Sequence, residues 1–497
     1  MLLLAGTIVS LSTAQAEQLG ELNFPTSGSA AAQEHFLRGV KYLHSFGFED
    51  AAEAFQAASK VEPDFALAYW GEALSYNHPL LPERDLETPR KVLARLGPSP
   101  AERAAKAPTP REAGLLAAVE ILYGEGSESE RAFAYADAMG RLAAQHPQDE
   151  ELQALYAVAL LGTVRHLGAS WGAESTFRVR MKAGAIAQDV FRQHPNHPGA
   201  AHYIIHAFDD PIHAPLALAA AERYAVLAPD VSHALHMPSH IFIQHGMWAE
   251  VMASNDASYQ SAFAVWQQRD TFSETKNYFN DVSAWHALDW GQYGALQQAD
   301  WTKAKQAINL LRVVAEKSAV SRVHEGVGEM TARYIVESEQ WQQLPLTSEF
   351  TSHELMATGL SAIRMGDVAI AQQAEEQLKN MEQEKQPTRP TRRQQALTIM
   401  RLEIAALVRG AQGQSDAAIA LMDEAVAIAE SIGLPNGAAI PIKPAHELYG
   451  EILLELDRPK EAAVQFEASL LRAPNRRLSL RGLARATAKS GDTHTAR

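Results

Sequence analysis

From Phe36 onward, apolar stretches of helical character alternate with short polar turns. The chain therefore reads as helix, turn, helix, with a period near 34 residues. Alanine-rich helical stretches dominate, and sustained period-two runs of β-branched residues are absent, so no strand is predicted. Proline clusters mark three irregular segments, at 80–111, 380–393 and 435–444. The second, with several arginines, reads as a linker between two arrays. The third carries apolar residues and reads as an ordered loop.

One unit is clear near the N-terminus. Gly39 and Tyr42 fall on its first helix, Ala51, Phe55 and Ala58 on its second, and Pro63 follows. Small residues let the two helices approach, an aromatic fills the space beside them, and proline stops the second helix. Gly450, Ala462, Phe466 and Pro474 repeat this spacing near the C-terminus. Both ends resemble the tetratricopeptide-repeat (TPR) family, and the units between are degenerate. The resemblance, to exported bacterial TPR proteins with a histidine-rich block, runs from Phe36 to about Ala486. It implies an all-α, right-handed superhelical solenoid of about a dozen helix pairs, with the first helix of each pair lining a concave groove. It implies fold and export more than any chemistry. The expected organisation is a signal peptide (1–16), an N-terminal extension (17–31), an array (32–379), a linker (380–393) and a second array (394–497).

Composition narrows the function. The net charge of −15 argues against a nucleic-acid partner held by simple electrostatics. Zero cysteines excludes disulfides, thiolate ligands and cysteine nucleophiles. The apolar start, running to about Leu11, is followed by Ala14-Gln15-Ala16, a cleavage pattern that leaves Glu17 as the mature N-terminus. The expected location is periplasmic or otherwise secreted. No other segment approaches the ~20 apolar residues of a membrane span.

Histidine is the anomaly. Of 19 in the chain, a dense block lies between His194 and His245. His202 and His206 form one i, i+4 pair; His236 and His240 form another, 34 residues later. Each pair shares a helix face. One repeat length between them places the pairs on neighbouring first helices, roughly 8–10 Å apart. Four imidazoles then converge on one ion or on two adjacent ions. Asp209 shares the face of His206, and His286 with Asp289 forms an i, i+3 pair in the next unit, so His286 and Asp209 are further ligands or orient the first four. Pro238 interrupts the second pair, and His233 is the substitute if it re-aims His236. His44 and His78, also 34 apart, are expected to face the cluster across the groove, and Trp70 either floors that groove or packs in the core.

Other templates fail: neither H-E-x-x-H nor a phosphate-binding glycine loop nor a nucleophile elbow occurs. The cysteine-free, histidine-rich set suits a transition metal such as zinc, copper or iron. An open coordination position would make the site a metal-dependent enzyme. The alternatives are a groove that grips a peptide, a small molecule or an envelope-protein partner without metal, and histidines that are purely structural.

Overall fold

The computed structural model describes residues 17–491, apart from 83–84, 269, 271–273, 348–349 and 385–390. The signal-peptide segment 1–16 lies outside the described residues. Those described form helices, turns and loops and no strand. Helices Ala30–His44 and Phe48–Val61 make the first hairpin. The last complete hairpin is Ala445–Glu455 with Pro459–Arg472, followed by Arg477–Ser490.

The repeat spacing has a direct steric cause. A Cβ on Gly39 would lie 2.8 Å from the Phe55 ring, and one on Gly71 only 2.3 Å from it. Phe466 is clamped in the same way between Gly450, at 2.8 Å, and Gly482, at 2.2 Å. Each phenylalanine is fully buried between consecutive first helices, and only a residue without a side chain permits that approach. The chain is thus an array of TPR-type helical hairpins. Turns inside several hairpins need a positive φ, supplied by Gly246, Gly366 and Gly413. In the first hairpin Phe46 takes that conformation, at φ 57°.

The array closes on itself. Helix Ala30–His44 packs against Pro198–Ala207, four hairpins further on. The N-terminal extension is part of the core: Phe24 is fully buried, its ring centroid 5.0 Å from Phe36 and 5.8 Å from Trp70. The C-terminal end returns to the middle of the chain. The Asn475 amide donates to the His245 carbonyl at 3.1 Å, and the Arg477 N–H to Gln297 at 2.9 Å. Loop 435–444 is ordered as expected, with Ala438, Ala439 and Ile442 buried.

One apolar core runs from Ala332 to Ala486, across the expected linker. The helices Val368–Glu384 and Arg392–Ala411 that flank it pack against each other. The described ends of segment 380–393 thus lie on two neighbouring, packed helices, and its prolines, Pro387 and Pro390, fall outside the described residues.

Candidate metal centre

Four short stretches of helix build the histidine cluster. His202 and His206 lie on Pro198–Ala207, where Pro198 starts the helix and the His197 side chain caps it. His233 and His236 lie on Ser232–His236, and His240 on Pro238–Gln244. Pro238 opens that second helix, where its missing N–H costs nothing. Met237 keeps helical dihedrals (φ −55°, ψ −37°), so the His236–His240 pair survives the proline. His286 comes from Glu274–Gln297.

The six imidazoles sort into two triads. In each, one ligand atom per residue lies within 4.8 Å of the other two: His202, His206 and His233 form the first, and His236, His240 and His286 the second. They are neighbours, with the His206 and His240 ring centroids 6.2 Å apart. The 34-residue offset does bring the pairs side by side, but their rings fall into two groups of metal-ligand geometry. Each pair instead recruits a third ring from the adjoining helix. His233 thus acts beside His202, not in place of His236.

The hydrogen bonds fix the tautomers. His236 Nδ1 lies 2.7 Å from Asn255 Oδ1, and the Asn255 amide donates to the Val251 carbonyl, which leaves its oxygen as acceptor. His236 Nδ1 therefore carries the proton. His240 Nδ1 lies 2.7 Å from the Asp209 carboxylate, and His202 Nδ1 lies 2.7 Å from the His44 carbonyl; both must also donate. In the neutral rings every Nε2 is then a lone pair. Yet His236 Nε2 and His240 Nε2 are 3.0 Å apart. Two lone pairs cannot face each other at that distance without a cation, a proton or a metal ion, between them. Burial counts against a proton on His236: loss of solvent, then the charges of His286 and His240, hold its pKa well below the ordinary value. In the other triad, His206 Nε2 is buried without a partner, and burial lowers the His202 pKa to about 3. Burial lowers that of His286 to about 3 as well.

Aromatic rings enclose both triads. Phe46 lies 4.4 Å from His202, 5.6 Å from His206 and 5.4 Å from His233. Trp290 lies 5.0 Å from His236, 4.4 Å from His240 and 5.4 Å from His286. Loop 435–444 backs Trp290 so closely that a Cβ on Gly437 would sit 2.8 Å from its ring. His202, His206 and His236 are 0%, 8% and 3% exposed, whereas His233, His240 and His286 are half-buried, so each triad keeps at least one ring within reach of solvent.

A third metal-capable group, His44, Glu151 and His197, is fully buried. Hydrogen bonds fix most of its tautomers. The Ala200 N–H donates to His197 Nδ1, so His197 Nε2 carries a proton and faces Glu151 at 3.4 Å. The Tyr203 hydroxyl meets His44 Nδ1 at 2.8 Å, and His44 Nε2 meets Glu151 at 2.9 Å. His197 Nε2 and Glu151 Oε1 are nonetheless buried with no hydrogen-bond partner among the described residues, so hydrogen bonds satisfy only part of this group.

Several expected residues sit elsewhere. His44 contributes only its carbonyl to the cluster. Trp70 is fully buried among Phe24, Phe36 and Phe55, because the extension and first hairpin surround it. His78 packs on Phe48 and Phe279, beyond the end of helix Ala66–Leu74. Asp289 turns to Arg333, 2.6 Å away, because helix Ser321–Ser338 brings that buried guanidinium alongside it. Asp209 orients His240. Asn255, Phe46, Trp290, Glu151 and His197 belong to no motif, so sequence reasoning missed them; only His197, within the histidine block, carries a visible signal.

Neither a family model nor a curated relative matches the chain. Among solved structures, the APC/C hetero-tetramer Cut9–Hcn1 is similar over 93% of this chain and 78% of its own, at 14% identity and a TM-score of 0.35. Yeast Tom70 is similar over 93% and 89%, at 11% identity and a TM-score of 0.32. The human IFIT1 dimer with m7Gppp-AAAA is similar over 94% and 92%, at 12% identity and a TM-score of 0.35. By the packing of its own hairpins, with Phe55 and Phe466 each clamped between glycines of successive first helices, the chain has the fold of a tetratricopeptide-type hairpin array.

Proposed function

We propose that the chain is an exported metal-binding TPR protein that holds two adjacent transition-metal ions, one in each histidine triad. The observation that carries this reading is the pair of opposed Nε2 atoms of His236 and His240, 3.0 Å apart, with both Nδ1 atoms committed as donors. Three neutral nitrogen ligands leave a fourth position open on each ion, the arrangement of catalytic zinc sites. A water there, acidified by the ion, would be the reactive group, and the aromatic enclosure would restrict access to small molecules. Neutral nitrogen donors suit zinc, copper or iron. An extended peptide laid across the histidines would meet only the half-buried rings of His233, His240 and His286. A protein partner is better served by the outer surface, where Ile212, Leu216 and Val226 are 62%, 53% and 62% exposed.

Elemental analysis of untagged protein, before and after chelation, tests the reading. Up to two ions per chain are expected. The double variant His206→Ala, His240→Ala should lose them while retaining its helical circular dichroism. Metal-free protein that fails to take up zinc or copper would exclude the proposal. Export is tested separately, by mass spectrometry of the mature N-terminus, which should be Glu17.

A further inference from the structure

A cavity of about 60 Å³ lies beside the metal centre. By that measure it holds about four to six water molecules. The start of helix Arg392–Ala411, the end of Pro459–Arg472 and loop 435–444 enclose it. Its walls are of two kinds. Ile399, Ile432, Ile440 and Pro441 make one apolar side, and Arg392 and Arg472 supply two guanidiniums.

Neither arginine has a carboxylate partner within ion-pair distance among the described residues. Arg392 donates to the Asn436 side chain at 3.1 Å. Arg472 donates to the carbonyls of Ala429, at 2.9 Å, and Gly433. Each has five N–H donors and spends few of them on these neutral acceptors. Neither guanidinium has a nitrogen that is both buried and unpartnered, so the remaining donors open onto solvent or the cavity. Burial disfavours the charge on both arginines, and for Arg472 the charge of Arg392 adds to this in smaller measure than Glu430 offsets it. Two carboxylates temper this from outside the cavity: Asp209 acts on Arg392, and Glu430, whose side chain is 61% exposed, acts on Arg472. His446 also lines the cavity, but its nitrogens are committed to Gln465, at 2.8 Å, and Glu430, at 3.6 Å.

Paired guanidiniums without an anion, set against an apolar wall, are a receptor for an oxyanion. Planar forks of donors match a carboxylate in two-point geometry. We propose that this cavity binds a small carboxylate with a short apolar body, its head between Arg392 and Arg472 and its carbon chain against Ile399, Ile432 and Ile440. The site is independent of metal binding. It nonetheless abuts the metal centre, since Gly437 in its wall packs on Trp290, whose ring packs on His236 and His240.

Calorimetric titration of the full chain with butyrate, hexanoate and inorganic phosphate tests this. Hexanoate should bind saturably and more tightly than butyrate, and more tightly than phosphate. Arg392→Gln and Arg472→Gln should each weaken hexanoate binding by about tenfold or more, the loss expected for one charge-assisted hydrogen bond. Arg472→Lys, which keeps the charge and a donor to the carbonyls, should lose less than Arg472→Gln. Circular dichroism must show each variant folded. No saturable carboxylate binding, binding that Arg392→Gln leaves unchanged, or phosphate binding tighter than hexanoate would each overturn the proposal.

Discussion

Replacing Asp209 by asparagine separates the two triads. Asp209 is 2% exposed, and its carboxylate accepts the His240 Nδ1 proton at 2.7 Å. That bond fixes the ring so that Nε2 faces His236, and it enriches the ring as a ligand. The asparagine side chain keeps an oxygen able to accept the proton, but loses the charge. Removal of a partner that orients a ligand in this way typically costs 10- to 100-fold in metal affinity, or about 1.4–2.7 kcal/mol. The loss should fall on one ion only, because the His202, His206 and His233 triad touches neither Asp209 nor its bond. Competition with a chromophoric chelator at pH 7.5 reads both affinities in one titration. The wild type should give two sites; the variant should retain one and weaken the other. Equal weakening of both sites, or of neither, would refute the assignment of Asp209 to one triad.

Burial alone would raise the pKa of Glu151, but His197 and His44 beside it override this and hold it at about 2, against an ordinary 4.5. A depressed value means stabilisation that is complete above pH 4.5 and lost as pH falls towards 2, worth roughly 3 kcal/mol. Glu151→Gln should thus be destabilising at pH 7 and nearly neutral at pH 2 in urea unfolding; a constant difference would contradict this. Gly437→Ala drives a methyl to within 2.8 Å of Trp290 and should cost about 1–3 kcal/mol in the same assay, whereas an unchanged midpoint would show that the loop yields freely. Phe46→Gly and Phe46→Ala both remove the ring over His202, but Phe46 has φ 57°, so the glycine variant should be the more stable by about 1–2 kcal/mol. Equal stabilities would mean that the turn relaxes out of the left-handed region.

The hairpin array and the paired histidines were legible because both depend on local periodicity. Gly39, Phe55 and Gly450, Phe466 encode helix–helix contact between successive units, and a helix presents residues four apart on one face whatever surrounds it. The same logic explains the partial success at the cluster. A 34-residue offset places the His202 and His236 pairs next to each other, but not whether they share an ion. That depended on where the Ser232–His236 and Glu274–Gln297 helices cross their neighbours, which brought in His233 and His286 as third members. Acceptors such as Asn255 and the His44 carbonyl are 19 and 158 residues from the histidines they orient. Loop 435–444, far along the chain from the histidines, returns to back Trp290, a contact that no local pattern announces. Asp289 faced Arg333 and not the histidines for a similar reason: its partner is 44 residues away. Sequence by itself determined what repeats with the helix and with the hairpin. The tertiary structure decided what closes across the array, because long-range packing sets those contacts and leaves no period in the chain.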